Sequence, residues 1–210
     1  METVRTLEEI QPEDVDTHGG KTANLAKLAQ LGFLIPRGVS ISSSVFTDII
    51  RKNQDLTRFL TKIDKSDDFE EILDLSGSIQ KIISDYPIPE EVVSEIFRSL
   101  GHIGQSEIGF AVRSSATIED RSDISFAGQA ESFLCVKSKE DIIESVKKVW
   151  QSTFSERAII YLKTKEIPLK EARMAVLIQE MIPAEISGVM FTANVVTNNT
   201  GEILINSTWG

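Results

Sequence analysis

The spacing of apolar residues changes once along this chain, and that change limits its architecture more than any other feature. Through about the first hundred residues apolar side chains recur every three or four positions, the period of a helix with one buried face. Leu25, Leu28 and Leu31, with Ala29 beside them, predict a helix from Gly20 to Leu31, and Gly32 stands where a C-terminal cap belongs. Val45, Phe46, Ile49 and Ile50 predict another, capped by Ser43 or Ser44. A third is expected over 67–85 through Phe69, Ile72, Leu73, Ile79, Ile82 and Ile83. A fourth starts at Pro89, carries Val92, Val93, Ile96, Phe97 and Leu100, and stops at Gly101. Between the first two, "FLIPRGVSIS" reads as extended, because Pro36 forces Ile35 away from helix.

The later sequence reads differently. "IGFAV", "SFLCV", "RMAVLIQEM", "EISGVMFTA" and "GEILINS" are strand-like, with turns at Pro183 and "TNNTG". Two helices interrupt them. One begins at a capping-box-like Ser138 and Asp141 and ends near Trp150; the other covers "ERAIIYLK". The expected organisation is therefore a mainly helical part over 1–105 and a strand-rich part over 106–210.

Hydrophobic residues make up 41% of the 210, enough for a sizeable core. The formal net charge is −10. Lys163, Lys165, Lys170 and Arg173 are interrupted by Glu166 and Glu171, so no basic patch suggests a nucleic-acid partner. An anion must then be bound locally, by a few cations and aligned N–H groups. The single cysteine, Cys135, excludes an intramolecular disulfide and a cysteine metal site, and reads as a small buried core residue. The acidic N-terminus is not a signal peptide, and the apolar run at Met174 to Ile178 is far too short to cross a bilayer. A cytoplasmic location without a membrane partner is expected. His18 and His102 have no ligand-like spacing, and Glu119 with Asp120 reads as a solvated loop face.

Three stretches could carry chemistry. In "HGGKTANL" two glycines permit close backbone approach, a helix start aims N–H groups at an anion, and Lys21 adds a full charge. It is not a Walker A loop, and a glycine turn feeding a helix accounts for it equally well. "FAVRSSATIEDRSDISFAGQAESFLCV" places about twenty polar residues between two strands, where a handful would connect them. Arg113 at a strand end suits bidentate phosphate recognition, and Gly128, Ser125 and Ser132 suit a lid over phosphate oxygens; a polar surface loop is the alternative. In "VLIQEMI" a strand ends in Gln179, Glu180, Met181 and Ile182, whose backbone can read the edge of adenine while Met and Ile cover its face. An ordinary buried strand reads the same way.

Taken together, "GGKTANLAKLAQLGFLIPRGVSIS", the Phe110–Val136 stretch, "VLIQEMIPAEISGVMFTANVVT" and "ILINSTWG" resemble the nucleotide-binding domain shared by phosphoenolpyruvate synthase, pyruvate phosphate dikinase and rifampin phosphotransferase. The likeness covers nearly the whole chain, and "SFAGQ" is closer to the synthase and rifampin branch. The resemblance implies an α+β, ATP-grasp-like fold, C-terminally incomplete, with ATP clamped between two subdomains. In that family the β-phosphoryl group of ATP passes to a histidine on a separate phosphocarrier domain, then to an acceptor. By motif position Lys21 and Arg113 would contact phosphates, with Arg113 also a transition-state contact. Gly128 and Ser132 would lie in the phosphate-covering loop, and Gln179, Glu180, Met181 and Ile182 would hold adenine.

The chain departs from the family pattern at Thr22, where glycine is usual, at Ala130 in a loop usually "GQQDT"-like, and at Asn194 in "FTANV" where "FTADP" is usual. The motifs that supply a further glutamate and help hold Mg2+ would lie beyond Gly210, as would the phosphocarrier and acceptor domains. The expectation is the ATP-binding portion of a phosphoenolpyruvate synthase-like enzyme, either a fragment or a short natural relative, unable to complete a dikinase cycle alone. The alternatives are the same portion of a rifampin phosphotransferase and a non-catalytic nucleotide-binding module.

Overall fold

The computed structural model describes residues 3–104, 106–117 and 131–209. Five strands form one sheet in the order β1-β2-β5-β3-β4, every neighbour antiparallel. They are β1 (Val4–Thr6), β2 (Gly38–Ile41), β3 (Phe110–Ala116), β4 (Ser132–Val136) and β5 (Met174–Glu180). Strands from both the helix-rich and the strand-rich parts of the sequence thus interleave in one sheet, around the buried β5.

Partners in an antiparallel register share a face, so the pairing sorts the side chains. Val39, Ile41, Val112, Val176 and Ile178 project to one face and belong to the main hydrophobic core. Helices α3 (Ser43–Lys52), α4 (Gln54–Lys65), α5 (Phe69–Asp85), α6 (Glu90–Ile103), α7 (Lys139–Ser152) and α8 (Glu156–Thr164) cover that face. At the centre Phe46 stacks on Trp150 with ring centroids 5.8 Å apart and lies 5.9 Å from Phe154. The opposite face carries Ser40, Arg113, Ser115, Leu177 and Gln179. Helices α1 (Val15–His18) and α2 (Gly20–Gln30) pack there.

The helix boundaries follow the caps. Ser42 caps α3 by accepting from the Ser44 N–H, one residue earlier than the expected Ser43 or Ser44, which lie inside the helix. Asn53 caps α4, a helix the sequence reading missed although Leu56, Leu60 and Ile63 recur at helical spacing and are fully buried. Asp68 caps α5, and Ser138 caps α7 by accepting from the Asp141 N–H. Gly101 does not stop α6; Gly104, at φ 97°, ends it three residues later. In α2 the expected leucine face is not the buried one. Thr22, Ala23 and Ala26 are buried, whereas Leu28 is 41% and Leu31 66% exposed. Gly32, at φ 85°, does terminate the helix, with Phe33 N–H returning to Leu28 O.

Cys135 is not a core residue. It is exposed, at φ 58°, where the β3–β4 register shifts. The shift turns Leu134 and Cys135 outward and lets Val136 regain the core. Beyond β5, strands β6 (Ile186–Phe191) and β7 (Leu204–Trp209) form a separate two-stranded ribbon, exposed on both faces. Among the described residues no helix is long and apolar enough to cross a membrane.

Truncating Phe46 to alanine should destabilise the fold by about 3–5 kcal/mol in denaturant unfolding, because it empties the aromatic cluster beneath β5. The same change at Phe69, which is 55% exposed, should stay within about 0.5 kcal/mol.

Candidate functional site

The face of the sheet away from the main core is lined by hydroxyl, amide and guanidinium groups, and helix α2 lies across part of it. Helix and sheet meet more closely than ordinary side chains permit. Gly19 sits at φ 75°, and a Cβ on it would lie 2.1 Å from the Ser115 carbonyl oxygen of β3. The first glycine of "HGGKTANL" therefore admits another strand of the same protein, not a ligand. The small buried residues of α2 have the same cause. Ser115 Oγ accepts from the Thr22 N–H at 3.1 Å and from Thr22 Oγ1 at 3.0 Å, which satisfies one of the N–H groups a helix start leaves without an internal partner. Thr22, a departure from the pattern of the resembled family, is thus a tie between α2 and β3.

This docking delivers Lys21 to β3. Its Nζ donates to the Ser114 carbonyl at 2.8 Å. Arg113, the next residue back, is half-buried and shares the α2 face with Ser115. It pairs with Leu177 on one side and with Ser132, the first residue of β4, on the other. The Lys21 ammonium is therefore held on the residue next to Arg113, and Ser132 shares the face of Arg113 as its register partner. Gly128 lies outside the described residues.

His18, just before the glycines, is buried, and its Nδ1 is 2.9 Å from Ser40 Oγ of β2. Burial, reinforced by the nearby positive charge of Arg5, lowers its pKa to about 4, against a smaller opposing effect of Asp14. It is a neutral structural tie at physiological pH.

The far end of the face is the end of β5. Gln179 is buried, and its Nε2 donates to Pro36 O at 3.1 Å. The Glu180 N–H donates to Arg37 O at 2.9 Å, and the Met181 N–H to Gly109 O at 3.1 Å. The Glu180 carboxylate is turned to Arg37, which holds its pKa below the usual carboxylate range, chiefly through their side-chain hydrogen bonds. Met181 is half-buried, and Ile182 is 52% exposed. Arg113 pairs with Leu177, three residues before Glu180, so the cationic end and the strand end are about 10 Å apart along one strand. Lys21, Arg113, Ser132 and Gln179 thus lie on a single face of one sheet. Among the described residues no group of three or more His, Cys, Asp or Glu side chains comes together as a metal site.

The sequence matches the pyruvate phosphate dikinase AMP/ATP-binding domain over residues 15–210. The chain belongs to that family. A probable phosphoenolpyruvate synthase of Methanothermobacter thermautotrophicus is 35% identical over 99% of this chain and 31% of its own length. The phosphoenolpyruvate synthase of Pyrococcus furiosus is 31% identical over 99% of this chain and 30% of its own. The rifampicin phosphotransferase of Bacillus cereus is 34% identical over 99% of this chain and 24% of its own. The chain spans about a quarter to a third of the length of these relatives.

Within this member of the dikinase AMP/ATP-binding domain family, three residues to which the motif reading gave no role organise the face: Ser115, Ser40 and Arg37. For Ser115 the signal was present, since a serine inside an otherwise apolar strand requires a buried partner. Arg37 carried none, because its partner lies 143 positions away.

Two outcomes test this geometry. Gly19→Ala should destabilise the protein strongly and unseat α2, whereas Gly32→Ala, at a similar φ but with open space around it, should cost about 1 kcal/mol; thermal unfolding separates them. Because the folded pKa of His18 is depressed, the unfolded chain takes up the proton first as pH falls. Stability should therefore decline from about pH 6.5 towards pH 4 and level off below. His18→Asn should flatten that part of the profile.

Proposed function

We propose that the α2-covered face binds ATP, as the nucleotide-binding portion of a phosphotransferase of the phosphoenolpyruvate synthase type, and that the domain is ATP-grasp-like. The observation that carries this reading is the seating of the Lys21 ammonium on Ser114, next to Arg113 in β3, about 10 Å along the sheet from the end of β5. The spacing suits a nucleotide whose phosphates lie at the cations and whose base lies at Gln179 to Ile182. Membership of an AMP/ATP-binding domain family supports the same assignment.

In this proposal the chain works by positioning and by charge. Arg113 offers a planar fork of donors to phosphate oxygens, and the register with Leu177 and Ser132 fixes where the fork starts. Lys21 adds a point charge whose place is set by the Ser114 carbonyl. Gly128 and Ser132 belong to the loop over the phosphates, and the backbone from Gln179 to Ile182 reads adenine. A divalent ion such as Mg2+ would neutralise phosphate charge when bound; the described acids form no cluster for it. The nucleotide side of the reaction is what the synthase and rifampicin relatives share with this chain. Transfer to a phosphocarrier histidine and then to pyruvate belongs to the whole enzyme of the proposal.

Titration calorimetry with ATP tests the reading. Binding should be measurable, and Arg113→Ala should weaken it at least tenfold while the unfolding temperature stays close to that of the wild type. Absence of ATP binding by the wild type overturns the proposal. Equal affinity of the variant removes the role given to Arg113.

A further inference from the structure

Where β5 ends, its pairing with β2 stops in an unusual way. Gly38 is opposite Gln179, so a continued ladder would next join Arg37 and Glu180. An antiparallel pair in that position exchanges two bonds, N–H to carbonyl in both directions. Only one is made: the Glu180 N–H donates to Arg37 O at 2.9 Å. The reciprocal donor, the Arg37 N–H, goes instead to the Glu180 side chain, at 2.8 Å from Oε1. Among the described residues no other N–H outside the strands takes its place on the Glu180 carbonyl. The carboxylate is held for this by the Arg37 side chain, whose Nε lies 3.3 and 3.2 Å from its two oxygens and whose Nη2 lies 2.9 Å from Oε2.

We propose that Glu180 is a positioning residue: its side chain diverts the Arg37 N–H and so keeps its own main-chain carbonyl available as an acceptor for the amino group of a purine base. This rests on the ATP reading above. The Glu180 N–H points to Arg37 and the Met181 N–H to Gly109, so the pleat turns the Glu180 carbonyl to the Arg37 side. Gln179 holds the same edge from its own side chain, through Pro36 O. Adenine presents an amino donor where guanine presents a carbonyl. A fixed acceptor accepts the first and is left facing another acceptor by the second, and an unpaired polar group discriminates strongly. Stability does not explain the arrangement. Arg37 is half exposed, and an ion pair so open to water adds little to folding.

The test compares ATP, GTP and inorganic tripolyphosphate by calorimetry on the whole chain. Wild type should prefer ATP to GTP. In Glu180→Ala the Arg37 N–H closes the ladder onto the carbonyl. ATP should then bind about tenfold more weakly, the scale of one lost hydrogen bond, and the preference should shrink, while tripolyphosphate affinity stays within about twofold. Glu180→Gln, whose amide oxygen still accepts from the Arg37 N–H, should recover most of the loss even if the alanine variant folds poorly. Arg37→Gln should show a smaller loss of the same kind. Unchanged ATP affinity in Glu180→Ala, or a parallel loss for tripolyphosphate, overturns the inference and leaves the ATP reading standing. A wild type that binds tripolyphosphate but shows no preference for ATP over GTP also overturns it. A wild type that binds none of the three overturns both.

Discussion

The pairing of β5 with β2 on one edge and β3 on the other is the constraint from which the rest of the structure follows. From Met174 to Ile178 the strand is fully buried. Its partners come from positions more than 130 residues earlier and about 60 residues earlier, so closing this sheet requires the long-range contacts that are entropically hardest to form. Burial on both faces demands a partner for every side chain. Val176 and Ile178 find it in the six-helix core; on the other face α1 packs against β5, and Gln179 finds its partner in Pro36. The two faces are chemically unlike because they do different work. One supplies most of the apolar burial, and the other is left with the polar groups of the site.

The polar face stays organised through close approach, not bulk. Helix α2 reaches β3 because Gly19 has no side chain and Thr22, Ala23 and Ala26 are small. Leucine at those positions would lift the helix and carry Lys21 away from Ser114. This explains why the larger apolar residues of α2 face outward, against the simple periodicity expectation. It also gives the glycine motif a physical meaning: one residue permits contact between two parts of the chain, and the next two positions place a cation at that contact.

Much of this was legible in the sequence, for local reasons. The cap at Ser138, the helical runs of α5 to α8 and the strands β3 to β7 all announce themselves within a short window. The combined motifs singled out Lys21, Arg113 and Gln179, and these lie on one face of the sheet. What was not legible depends on distant partners. Cys135 looked apolar and strand-borne, but a register shift against β3 turned it outward. Leu28 and Leu31 looked buried until Gly19 set how close α2 lies. The residues from Gln179 to Ile182 were read as a base site through their backbone, and only the approach of Arg37 shows that the Glu180 carboxylate accepts from the Arg37 N–H.

A net charge of −10 opposes a polyanion on average, but distance decides how much of it is felt at any one place. At physiological ionic strength a charge is screened over about 8–10 Å, so acids spread over the surface contribute little at the site. What counts is which charges are fixed within that radius and how firmly. Lys21 is held by a backbone carbonyl, and strand register sets where the Arg113 side chain starts. Arg37 sits at the other end with its charge compensated by Glu180, which keeps the cationic pull concentrated at β3. Polarity along the face therefore runs from charged to neutral over the length of one strand. For the proposed nucleotide, that gradient would set the orientation without help from the charge of the protein as a whole.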